Sequence, residues 1–449
     1  MIHKFTLYGT NIVMDIASGA IHIVDDIAYD LIDEKDTSLK DLEVLKKEFV
    51  SKYSVKTVEE AYSELKELQD NGLLYTKDEY REIPGIELKD YIIKAMCLHV
   101  CHDCNLRCEY CFAHTGDFGG QRLLMDEDTA KKAVDFLVKN SGSRRNLEID
   151  FFGGEPLMNM DVIKKTVQYI KENEDAWGKK INLTLTTNGV LLDDENLKYI
   201  NEHMDNLVLS IDGRKETNDR MRKTVNGKGS YDSIINKLKK AAESRNQDRY
   251  YVRGTFTSRN LDFSEDVKHL AEHGFKQVSV EPVVAPDGSG YELKEEHLPI
   301  LFKEYENLVK YYSDKWKTED WFNFFHFMID LTQGPCVAKR VRGCGAGSEY
   351  VAVTPEGDIY PCHQFVGQTE FIIGSVFKDE MNYDLMDTFR GKNVFTKESC
   401  MSCWARYYCS GGCHANSWNH NKDLDIPYEL GCELQKKRIE CAIWAKAVE

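Results

Sequence analysis

Residues 97–112 read CLHVCHDCNLRCEYCF and hold five cysteines. Two overlapping triplets share the spacing C-x3-C-x2-C: Cys97, Cys101 and Cys104, or Cys104, Cys108 and Cys111. The run IIKAMCLHV has the apolar composition of a buried strand, which places Cys97 inside that strand and Cys104 beyond its end. A loop leaving a strand can wrap around an inorganic group. The later triplet also carries an aromatic residue, Tyr110, before its third cysteine, where the earlier one has Asp103.

The rest of the composition narrows the chemistry. With 449 residues, 42% of them apolar, the chain can bury two or three sizeable cores. No apolar run approaches the roughly 18 residues that span a bilayer. The start, MIHKFTLYGTNIVMD, lacks the basic and apolar regions of a signal peptide, so a cytoplasmic location is expected. In a reducing compartment, fourteen cysteines point to metal or cluster ligation rather than disulfides. Scattered packed thiols are the simpler explanation of a high count. Scatter does not predict five cysteines in 97–111 and nine in 336–441, with none between. The formal charge of −17 argues against a nucleic-acid or anionic-membrane partner.

Three regions follow along the chain. Residues 1–80 open with the alternating runs FTLYG, NIVMD and AIHIVD, then show helical periodicity over 39–49 and 58–68, with LLYT (73–76) as a returning strand. That order predicts a winged-helix-like module. It carries 9 Lys, no Arg and 17 acidic residues, so accepting a peptide by strand addition suits it better than binding DNA. Residues 92–310 alternate six strand-like runs with amphipathic segments, predicting an α/β partial barrel with an open doubly wound sheet as runner-up. Residues 301–335 read as helical and aromatic. Residues 336–449 are rich in Cys and Gly and poor in long periodic segments, so inorganic staples are expected there.

Cys104-Asn-Leu-Arg-Cys108-Glu-Tyr-Cys111-Phe112 resembles the CxxxCxΦC loop of the radical S-adenosylmethionine (SAM) superfamily, with Tyr110 as Φ. The resemblance implies a partial (β/α)6 barrel in which Cys104, Cys108 and Cys111 hold three irons of a [4Fe–4S] cluster. The open iron takes the SAM amino and carboxylate groups, and electron transfer gives a 5′-deoxyadenosyl radical. Later strand ends extend the likeness. Gly153-Gly154-Glu155-Pro156 resembles the GGEP motif that binds the SAM ammonium. Asn188 ends the third strand. Ser210 and Asp212 are expected near the SAM carboxylate and ribose, with Arg222 and Arg253 as carboxylate partners.

The C-terminal pattern Cys344-x12-Gly357-x4-Cys362, Cys400-x2-Cys403-x5-Cys409-x3-Cys413 and Cys432 resembles the SPASM extension of radical SAM peptide-modifying enzymes, with two auxiliary [4Fe–4S] clusters. A C-x2-C pair alone could mean zinc. Carried over from the family, Cys400, Cys403, Cys409 and Cys432 complete one auxiliary cluster, while Cys344, Cys362 and Cys413 hold the other. The eighth position is left to Cys336 or a substrate thiol; Cys97, Cys101 and Cys441 are read as packed or free thiols.

The whole chain resembles the thioether-forming maturases of SCIFF peptides, in the ranthipeptide and sactipeptide maturase group. By that likeness residues 1–80 bind the leader of a Cys-rich precursor peptide, with Ala20–Asp25 as docking edge, and a low-potential donor supplies electrons. The expected product is a thioether from Cys to a nearby residue such as Thr. Anaerobic sulfatase maturation, which oxidises Cys or Ser to formylglycine, is one alternative. A non-catalytic electron carrier or peptide-binding scaffold is another.

Overall fold

The computed structural model describes residues 1–80, 91–331 and 341–449. Ten strands form one sheet, and six of them match the six strand-like runs of the sequence. These are β4 (Ala95–Cys101), β6 (Asn146–Gly153), β7 (Lys180–Thr187), β8 (Asn206–Ser210), β10 (Tyr250–Phe256) and β11 (Gln277–Pro282). They pair in parallel in that order. Helices α4 (Glu127–Lys139), α5 (Met160–Trp177), α6 (Asp194–His203), α8 (Tyr231–Ser244) and α9 (Phe263–Glu272) cover the outer face; the short α7 (Lys215–Met221) follows β8.

Strand alternation explains the layering. On β6, Leu147, Ile149 and Phe151 are buried beneath the helices, whereas Asp150 and Phe152 face the barrel interior. Helix α4 answers with Ala130, Ala133, Val134 and Leu137 at helical spacing, and Asp126 caps its first turn by accepting from the Thr129 amide at 2.7 Å. At the end of α5, Gly178 (φ +64°) takes the left-handed position that closes the last turn.

Two further pieces were not legible in the sequence. The short β5 (Leu106–Cys108) pairs antiparallel with β9 (Arg222–Thr224), which puts Cys108 opposite Arg222. Beyond the barrel, β12 (Asn323–Phe324) joins β11, while β13 (Tyr350–Val353) runs parallel to β4 and continues into β14 (Asp358–Tyr360) and β15 (Gly374–Ser375). The Cys-rich region thus shares a sheet with the barrel instead of standing beside it. In the aromatic segment the α-helix among the described residues is α10 (Leu298–Asp314), with a single 3-10 turn at Phe325–Phe327, and residues 332–335 lie outside the described part.

The N-terminal module has an antiparallel sheet of β1 (Ile2–Leu7), β2 (Thr10–Asp15) and β3 (Ile21–Val24), with α1 (Asp26–Leu31), α2 (Leu42–Phe49) and α3 (Val55–Asp70). Helix α1 was missed because six residues carry too little periodicity. The run LLYT is not a strand. Leu74 and Tyr75 are buried instead, and the Thr76 amide donates to Asp15 at 2.7 Å. Among the described residues β3 pairs with β2 alone, and Ile23 is 56% exposed.

This module docks on the Cys-rich region. The His3 ring stacks on Trp404 at 3.7 Å, and the Asp78 carboxylate takes the buried Arg406 guanidinium and the Tyr407 hydroxyl, the latter at 2.6 Å. Removing one partner leaves the other buried without compensation. Asp78→Ala should therefore lower unfolding stability by about 2 kcal/mol in urea titration. A change within error would mean that this contact does not hold the module.

Candidate active site

The cysteine loop sits directly on the end of β6. The Gly154 amide donates to the Cys101 carbonyl at 2.7 Å, and the Glu155 amide to the Asp103 carbonyl at 2.8 Å. A Cβ on Gly153 (φ +130°) would meet the Cys101 oxygen at 2.1 Å, and one on Gly154 would meet the Asp103 oxygen at 2.1 Å. No flexible side chain can yield there, since both obstacles are backbone. The glycine pair is thus a close-approach device.

Glu155 is buried, and its carboxylate accepts from Thr187 Oγ1 at 2.8 Å, the Asn188 amide at 2.8 Å and the Leu157 amide at 3.1 Å. Burial raises its pKa to about 7 against the pull of those donors. With its amide spent on Asp103 and the Glu155 carboxylate on three donors, the motif has backbone carbonyl oxygens left to offer an ammonium group. Pro156 opens the short helical turn that follows.

The other side of the loop is held by one carboxylate. Asp212, fully buried after β8, accepts from the Tyr110 hydroxyl with both oxygens at 2.8 Å, from Arg222 Nε at 3.0 Å and from the Thr255 amide at 3.0 Å. Burial raises the Asp212 pKa, opposed chiefly by Arg222. The Arg222 guanidinium also lies 5.6 Å over the Tyr110 ring. Asp212 and Arg222, expected at the SAM ribose and carboxylate, are therefore turned on each other and on the cysteine loop. Tyr110 is the third member of that network, and only the aromatic position in the motif hinted at it.

Arg253, the other expected carboxylate partner, points into the barrel and pairs with Glu281 at 3.0 Å. Ser210 stands opposite Arg253 in the β8–β10 register. Phe112 is exposed, with its ring 5.6 Å from His363 and 5.9 Å from Phe118.

The cysteines fit iron–sulfur clusters. All thirteen described cysteines are free thiols. Cys104 Sγ lies 3.4 Å from the Leu106 amide and 3.6 Å from Asn188 Nδ2, donors of the kind that tune a cluster thiolate. Burial pushes the Cys104 and Cys108 thiols up to about 12, the second against the opposing Arg222 charge, so ligation must drive deprotonation. Among the described residues no three ligating side chains gather around a point where one ion could sit. A cubane takes one thiolate per iron, so its cysteines stand wider apart than the ligands of a single ion.

In the Cys-rich region the thiols fall into two neighbourhoods. Cys362 feels Cys413 and Cys344, whereas Cys432 feels Cys409, Cys400 and Cys403. Cys97 lies on the inner face of β4 near Tyr350 and Cys362, Cys101 is buried, and Cys441 is buried in the C-terminal helix. Cys336 lies outside the described residues.

Two family models match: the Radical SAM superfamily over residues 98–270 and the SPASM iron–sulfur cluster-binding domain over 344–404. A serine-type anaerobic sulfatase-maturating enzyme of Bacteroides thetaiotaomicron is 27% identical over 71% of this chain and 82% of its own length. Among solved structures, native anSMEcpe with bound AdoMet and Cp18Cys peptide aligns with a TM-score of 0.64 at 20% identity, covering 79% of this chain and 99% of that one. Streptococcus suis SuiB bound to precursor peptide SuiA aligns at 0.55 and 16%, covering 95% and 97%.

Gly154→Ala should preserve helical content by circular dichroism yet lose the iron that reconstitution places on the Cys104–Cys111 loop, at a cost of roughly 1–3 kcal/mol. Full iron content in the variant would show that the close approach is dispensable.

Proposed function

Because this chain belongs to the radical SAM superfamily and carries a SPASM iron–sulfur domain, we propose that it is a peptide maturase that joins a Cys sulfur to a nearby residue, such as Thr, in a Cys-rich precursor. Its cofactors are SAM and [4Fe–4S] clusters, with auxiliary clusters in the SPASM domain. When bound, SAM and its cluster supply a carbon-centred radical that removes hydrogen from substrate. In this reading Cys104, Cys108 and Cys111 hold the SAM cluster. Cys344, Cys362 and Cys413 belong to one auxiliary cluster, and Cys400, Cys403, Cys409 and Cys432 to the other.

The observation that carries the reading is the edge of β3, which no strand among the described residues covers. An exposed strand edge with unpaired backbone donors and acceptors is a template for an added peptide strand. It belongs to a module docked on the SPASM region through His3, Trp404, Asp78 and Arg406. The fold likeness to SuiB covers 95% of the chain, and SuiB was captured with its precursor peptide. No helix among the described residues is long and apolar enough to cross a membrane, and a low-potential electron donor completes the partners.

Formylglycine formation is the second reading. It is favoured by the sulfatase-maturating relative, which matches 71% of this chain. Both readings begin from a peptide side chain held in the barrel, and they differ in whether sulfur is retained in a new bond.

Two variants test the proposal. Cys344→Ala should keep reductive SAM cleavage, measured as 5′-deoxyadenosine, while cross-link formation fails. Unchanged cross-linking would remove the auxiliary cluster from the reaction. Ile23→Pro should weaken binding of the precursor leader roughly tenfold by calorimetry, with SAM cleavage intact. Wild-type affinity would place the leader elsewhere.

A further inference from the structure

Inside the barrel, the carboxylates differ sharply in how they are used. Asp212 is saturated by Tyr110, Arg222 and Thr255, and Glu155 by three donors. Burial works against the Glu281 charge, yet Arg253 and His326 hold its pKa down at about 2. Asp150 is the exception. Halfway along β6, it accepts a single hydrogen bond, from Thr186 Oγ1 at 3.3 Å, and makes no ion pair among the described residues.

Asp150 opens into a cavity of about 310 Å³ at the barrel end opposite the cysteine loop, shared with Thr184, Tyr251, Tyr350, Lys94 and Cys344. That cavity brings the carboxyl and a thiol of the proposed first auxiliary set to the same space. A carboxyl with one weak partner is not holding the strands together, because neighbouring β4 and β7 are already joined to β6 by their ladders. It is free to serve a guest.

Resting on the maturase reading, we propose that Asp150 is the proton acceptor for the peptide's Cys thiol in this cavity. The thiol S–H bond breaks, its electron pair stays on sulfur, and a new O–H bond forms on the Asp150 carboxylate. The proton later passes to solvent through the cavity, whose lining includes the exposed Glu148. No electron is transferred in this step. It serves thioether formation and cysteine-type formylglycine formation alike, since each begins from a thiolate.

Proton affinity supports the assignment. An ordinary Asp near 3.9 is a poor base for a thiol near 8.5. Burial raises the Asp150 pKa to about 7, against the Thr186 bond and the more distant Arg253. The groups facing it are Cys97 of β4, Tyr251 and Arg253 of β10, and Tyr350 of β13. Arg253 is committed to Glu281, and Lys94 to Glu349 at 3.0 Å.

The test uses the reconstituted holoenzyme and a synthetic peptide with one Cys flanked by Thr, beside the same peptide with Cys→Ser. About one pH unit above 7, adding the Cys peptide should produce the infrared band of a protonated carboxyl. The Ser peptide should not, nor should either peptide with Asp150→Asn. The variant's peptide-modification rate should fall about a hundredfold and lose its acidic limb, with SAM cleavage preserved. Thr186→Val keeps the carboxyl and should move that limb to higher pH. A band that persists in Asp150→Asn, or a wild-type rate and pH profile, overturns the proposal. If the band behaves as expected but neither cross-link nor aldehyde forms, the maturase reading fails and the proton assignment stands.

Discussion

The close approach of Gly153 and Gly154 to the carbonyls of Cys101 and Asp103 is the contact on which the site depends. It lets the end of β6 act as the floor of the cysteine loop, with two amide bonds in place of side chains. From that floor the loop reaches β9, where Cys108 stands opposite Arg222, and from there Asp212. A methyl group at either glycine would lift the loop and separate all of these partners. The constraint is steric and cannot be relieved by a rotamer change.

Polar satisfaction then sorts the buried charges into two kinds. Asp212, Arg222 and Tyr110 form a closed set in which each oxygen of the carboxylate has a donor, so their burial fixes geometry. Asp150, half-buried on the cavity wall, has one weak donor and leaves its carboxyl open to a guest. The same barrel interior therefore contains a rigid end, beneath the cysteine loop, and, toward the opposite end, the cavity that Asp150 faces.

Much of this was legible in the sequence, for physical reasons. Six strands were readable because each is a short apolar run, alternating at period two on β6, β7 and β10 and buried in continuous stretches on β4, β8 and β11, and the cysteine loop was readable because only the later triplet leaves β4. The GGEP glycines mark a steric requirement that no other residue meets. Asp212 and Arg222 illustrate the limit. Their types announce a carboxylate and a guanidinium, but only the fold shows that they bind each other and Tyr110, residues 102 apart in sequence from Asp212. The continuity of β13–β15 with the barrel sheet was equally hidden, because two- to four-residue strands carry no periodicity. LLYT misled for a related reason: its apolar residues fill the core of the N-terminal module from an irregular segment.

The N-terminal module, barrel and Cys-rich region are joined at every boundary, by the shared sheet on one side and by the His3–Trp404 and Asp78–Arg406 contacts on the other. A peptide anchored at β3 would be tethered to the barrel through a fixed surface rather than a loose linker. The most direct measurement is the mass and thiol count of a Cys-rich precursor peptide after anaerobic incubation with the reconstituted protein, SAM and a reductant. Loss of two hydrogens together with one alkylatable thiol is the expected result. An untouched precursor, with a sulfatase peptide converted to an aldehyde under the same conditions, would contradict it.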